Sequence, residues 1–96
     1  MRTSILVSLL LVSVWVGASC GPTLEERQRK ANTQLKLGNA ELNRGNFEEA
    51  LKAFEKAKDI YPDNPDIYHG LGLIYFYQRQ YENAVEAYDR AINLTA

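Results

Sequence analysis

Two residues stand alone in this chain as its only members of chemically versatile types: Cys20 and His69. A single Cys excludes an intramolecular disulfide and leaves a thiol that can act as nucleophile, ligand or attachment point. An imidazole can serve as a general base, but it then needs a nucleophile to activate and a carboxylate to orient it. Asp66 stands three residues before His69 and could orient it, yet no Ser occurs between residues 21 and 96, and Thr33 and Thr95 lack a matching partner. A binding or solvated histidine is the better reading, so no catalytic residue is assigned and no enzyme is expected. No Cys/His set has metal-ligand spacing. No Gly-rich phosphate loop follows a strand. Gly70 and Gly72 fall inside a helical stretch, where small residues permit close packing.

Cys20 closes a patterned segment. Arg2 supplies a positive start, residues 5–16 are apolar except for Ser8 and Ser13, and Gly17, Ala18 and Ser19 are small. This is the layout of a secretory signal. The apolar run is short of the roughly 20 residues that a membrane-spanning helix needs. Two processing routes stay open. The small residues before the Cys resemble a bacterial lipobox, with Gly17 where Leu is usual. That resemblance implies a signal peptide of residues 1–19, cleavage before Cys20, and acylation of the thiol and the new amine. Two or more acyl chains, at about 0.8 kcal/mol per buried methylene, give stable anchoring. The other route cleaves after Ala18 and leaves Cys20 as a free thiol. On the lipobox reading the protein is lipid-anchored on the periplasmic side of a cell envelope. Gly21, where an Asp would mark inner-membrane retention, favours the outer membrane. No cofactor is expected apart from the covalent lipid on Cys20.

Charge narrows the partners. The net charge is −1, and removal of Arg2 with the signal takes it to −2. A near-neutral chain carries no electrostatic footprint for nucleic acid. Ninety-six residues allow one small domain with a marginal core.

The elements that position these residues follow from a period of thirty-four. Leu37-Gly38 recurs as Leu71-Gly72, Glu48 and Ala50 as Glu82 and Ala84, and Ala53, Phe54 and Ala57 as Ala87, Tyr88 and Ala91. A fixed period of this length indicates stacked helix–turn–helix units. Thr23 and Glu26 form a capping box for a first helix over 24–43, with residues 20–30 as the lipidated Cys and its opening turns. Gly45 suits a left-handed helix end. Asn46 with Glu49 reads as a second capping pair before a helix over 47–60, on which Glu48 and Lys52 make an i,i+4 pair. Pro62 stops that helix. Asn64 caps and Pro65 starts a third over 65–78. Arg79-Gln80 is a turn without Gly, and a fourth helix runs over 81–93. Gly38 and Ala50 should let paired helices approach, with Leu37, Phe54, Leu71 and Tyr88 filling the remaining space.

These residues resemble a tetratricopeptide repeat. Unit one (31–64) carries Leu37, Gly38, Gly45, Phe47, Ala50, Phe54, Ala57 and Pro62 in register. Unit two (65–96, incomplete at its C-terminal end) carries Tyr68, Leu71, Gly72, Tyr75, Tyr81, Ala84, Tyr88 and Ala91. Gln34, Glu41 and Arg79 depart from the family pattern. The implied fold is all-α, two antiparallel helix pairs forming a solenoid fragment. Such arrays usually need three units and a polar cap. Hence the long first helix gives extra cover, or the chain self-associates through its uncapped second unit, or it is the N-terminal part of a longer protein.

The resemblance also implies a concave, protein-binding groove. Asn32, Leu35, Asn39, Leu42 and Asn43 should line it from unit one, and Asp66, His69, Leu73, Phe76 and Tyr77 from unit two. The asparagines offer donors and acceptors to a peptide backbone. Phe76 and Tyr77 exceed what repeat packing needs and mark an interaction site. The expected function is a non-enzymatic, lipid-anchored adaptor. A lipobox followed almost at once by repeats resembles the pilotin family, which helps secretins assemble in type IV pilus systems. A general envelope scaffold for other periplasmic proteins is the alternative.

Overall fold

The computed structural model describes residues 21–96, so the signal segment and Cys20 lie outside the described residues. Four helices follow in order: α1 (Leu24–Asn43), α2 (Phe47–Ile60), α3 (Pro65–Tyr77) and α4 (Tyr81–Thr95). The fold is all-α, and the described residues contain no strand. α1 packs on α2 and α3 on α4 as two hairpins. α2 meets α3 between them, with a smaller contact of α1 on α3.

Local chemistry sets the boundaries. Thr23 Oγ1 accepts from the Glu26 amide at 3.2 Å, and the Glu26 carboxylate accepts from the Thr23 amide at 3.4 Å. Glu25 and Glu26 also favour the positive end of the helix dipole. α1 closes when Gly45 takes φ +79°. The Asn46 amide then reaches Glu41 O at 2.9 Å, and the Gly45 amide reaches Leu42 O at 3.0 Å. This pair of bonds satisfies carbonyls the helix would otherwise leave bare. α3 closes by the same two bonds, Gln80 to Tyr75 O at 2.8 Å and Arg79 to Phe76 O at 3.0 Å. There Arg79 itself adopts φ +63°. Asn64 Oδ1 accepts from the Asp66 amide at 3.0 Å, with Pro65 in the first turn of α3.

Four expectations need correction. The Asn46 side chain makes no cap bond to α2. Its amide instead donates to Glu41 Oε2 at 2.7 Å, while Glu41 Oε1 takes Arg44 at 2.8 Å, so Glu41 spends Asn46 on tying down the turn. Lys52 pairs with Glu49 at 3.6 Å, one turn back, rather than with Glu48. Leu37 fills no space between helices. It is 48% exposed against 3% for Leu71, because α2 covers the outer side of α3 while no described element covers that side of α1. The last helix also continues two residues past Asn93, to Thr95.

The core is a set of rings and aliphatics seated against small residues. Phe54, Ile67 and Ile74 are the largest fully buried side chains, with Ala31, Ala50 and Ala57 beside them at 0% exposure. Phe54 is gripped from two sides. A Cβ built on Gly38 would stand 2.9 Å from its ring, and one on Gly70 2.5 Å. Gly72 makes the same kind of room for Tyr88, at 2.7 Å. α3 is apolar nearly all round, as expected for a helix flanked by neighbours on two sides. Its Tyr68 hydroxyl donates to Pro62 O at 2.8 Å, which pins the start of α3 to the end of α2.

Candidate functional site

The first helix of each hairpin carries the expected groove residues. On α1, Asn32, Asn39 and Asn43 are exposed, while on α3 Asp66, His69, Phe76 and Tyr77 are exposed. Leu42 and Leu73 are half-buried, Leu42 against the core. Leu35 is a correction: it is a core residue at 8% exposure, not a groove contact. Ala31, Leu35, Gly38 and Leu42 recur at i, i+4, i+7 and i+11. They form one stripe that turns inward, and the asparagines lie on its flank.

Polar contacts organise part of this surface. Asn64 donates to Asn32 Oδ1 at 3.4 Å, linking α1 to the start of α3. The Asn32 amide group stays available to donate to a bound backbone. The His69 ring lies 5.7 Å from the Tyr88 ring at 57°, so His69 is buttressed by α4 while remaining exposed. Burial pushes the Tyr88 phenol above its ordinary pKa of 10.0, and the nearby Tyr77 phenol adds to the rise.

The aromatic residues form a continuous row. Tyr77 stacks on Phe47 with centroids 5.4 Å apart and 24° between planes. Phe76 meets Tyr77 edge-on at 6.0 Å and Tyr81 at 5.8 Å. Phe76, Tyr77 and Tyr81 are each more than half exposed. Offset and edge contacts of this kind hold rings in place at about 0.5–1.5 kcal/mol per pair beyond area burial. The row is therefore a set surface rather than three independent side chains. Phe47 and Tyr81 were not among the expected site residues. The signal was their shared place as first residue of the second helix in each hairpin, which brings them level with the end of α3.

The chemistry available is apolar contact and amide hydrogen bonding. Among the described residues, no group of three or more His, Cys, Asp or Glu side chains is placed to share a metal ion. No described helix is long and apolar enough to cross a membrane. Residues 29–96 match the family model described as tetratricopeptide repeat, which spans both hairpins. No curated protein matches the chain.

Proposed function

The chain belongs to the tetratricopeptide repeat family, a protein-interaction fold, and from that premise we propose that it is a non-enzymatic adaptor holding another protein's segment against the α1–α3 face. The observation that carries this reading is the exposed aromatic row at Phe76 and Tyr77, held in place by Phe47 and Tyr81. Solvent-exposed rings fixed by their neighbours give large contact area at low entropic cost on binding, and the asparagines beside them suit a peptide backbone. Photo-crosslinking from Tyr77 in native membranes tests it. Capture of one discrete protein is the expected result, and Phe76→Ala should weaken that capture while leaving the melting temperature nearly unchanged. A large loss of melting temperature with capture intact would make Phe76 a core residue and end the reading.

The anchoring part of the proposal rests on the sequence. Cys20 carries the acyl chains and holds the adaptor on the periplasmic side of the envelope, at the outer membrane. Cys20→Ala should move the protein from the membrane fraction to the soluble one. Within this class the lipobox-to-repeat spacing suggests a pilotin, whose removal should leave pilus secretin as monomers. Secretin multimers that persist in the deletion strain would redirect the assignment to a general envelope scaffold.

A further inference from the structure

The turns that close the two hairpins differ at one residue. Each needs a left-handed backbone. The first turn has Gly45 at φ +79°, and the second has Arg79 at φ +63°. A Cβ is disfavoured in that region, so glycine is the residue that folding alone selects. Backbone outliers held in place by their surroundings concentrate at functional positions. The Arg79 amide donates to Phe76 O at 3.0 Å, and Arg79 lines an open cleft of about 330 Å³ with Gln80, Tyr81, Glu82 and Asn83. Phe76 and Tyr81 are themselves in edge contact at 5.8 Å. Arg79 is therefore tied to one ring residue of the aromatic row and shares a cleft with another. Charge also sets it apart from the arginine of the first turn. There Arg44 is neutralised by Glu41 at 2.8 Å. Thirty-four residues on, the place of Glu41 is taken by Tyr75. Glu82 lines the Arg79 cleft without coming within ion-pair distance, and exposed Arg79 has no ion-pair partner among the described residues.

We propose that Arg79 is the specificity-determining residue of the aromatic row, pairing with a carboxylate that the bound segment carries beside its apolar side chains. This rests on the reading of the row as a peptide-holding surface. The rings offer apolar contact that many segments satisfy equally well. The guanidinium adds what the rings lack, because its planar fork donates two parallel hydrogen bonds to a carboxylate. At that position the site therefore prefers Glu or Asp to Gln or Asn, which can accept only one such bond and carry no charge. The left-handed arginine follows from this role: the turn forgoes the stability that glycine would give and gains a means of selection.

The test selects peptides from a random displayed library on the full chain, immobilised in a mild nonionic detergent. Enriched peptides should combine aliphatic or aromatic residues with a Glu or Asp at a fixed spacing. For one such peptide, replacing the acid by its amide should weaken binding by about fivefold in fluorescence anisotropy. Arg79→Gln in the chain should abolish that difference, and Arg79→Lys, which keeps the charge without the fork, should retain part of it. Arg79→Gly should abolish it while raising the melting temperature, so the lost preference cannot come from a damaged fold. An enriched set without acids, or an acid preference that survives Arg79→Gln, overturns the proposal and leaves the row as a peptide-holding surface. A library that enriches nothing, or enriched peptides indifferent to Phe76→Ala, overturns that reading of the row and this proposal with it.

Discussion

Phe54 and Tyr88 hold the same place in two hairpins, yet their surroundings differ. Phe54 is fully buried between Gly38 and Gly70, while Tyr88 is half-buried, with Gly72 as its single glycine neighbour and the His69 ring beside it. The same contrast extends along both helices. Ala57 is at 0% exposure and Ala91 is partly open; Leu51 packs on the core and Val85 does not. Nearly identical local sequences therefore reach different burial, because the second helix of each hairpin depends on the first helix of the next unit. Stability in such an array is a sum of unit and junction terms, and this chain's described residues contain one junction between units.

The largest expected effect separates the two rings. Phe54→Ala should cost about 3–5 kcal/mol, as for a fully buried aromatic. Tyr88→Ala should cost about 1–2 kcal/mol, because only part of its area leaves water. Equal losses in urea melts would mean that α4 is covered in solution. The glycines sharpen the point. Gly70→Ala should destabilise by about 1–2 kcal/mol, since overpacking against a ring with nowhere to go outweighs the gain in helix propensity. Gly72→Ala should fall within about 0.5 kcal/mol of wild type, because Tyr88 can swing outward and the same propensity gain applies.

The turns give a smaller contrast. Both hairpins end their first helix with a left-handed residue, Gly45 in one and Arg79 in the other. Gly45→Ala should lower stability by about 1 kcal/mol, and Arg79→Gly should raise it by about 0.5–1 kcal/mol, each read by thermal melting. The smallest effect concerns pH. Burial raises the Tyr88 pKa above 10.0, so the folded state holds its phenolic proton where the unfolded state has lost it. Stability should therefore decline as pH rises through 10, and Tyr88→Phe should make that decline shallower in alkaline melts.

Much of the fold was legible in the sequence because its determinants are local. Thr23 with Glu26, Gly45, Pro62 and Asn64-Pro65 each act within a turn of where they stand, and the helices begin and end by them. The groove was legible as a face but not in every member. Leu35 sits on the buried stripe because Ala31 and Gly38 share its side of α1, a spacing the family register overrode. Leu37 and Leu71 are identical in type and context, and only the presence of α2 beside α3 separates their exposure. The Phe47–Tyr77 stack joins residues thirty apart across the junction, which no window of local sequence displays. Cys20, the residue expected to be acylated, lies outside the described residues.

α3 pairs with α4 in its own hairpin and also packs on the other hairpin, and that gives the molecule a direction of opening. Among the described residues α4 packs on one helix and α3 on three, so amides of α4 should exchange with solvent before those of α3. Loss of α4 would bare the greasy flank of α3, which makes retention of α4 the safeguard against clumping.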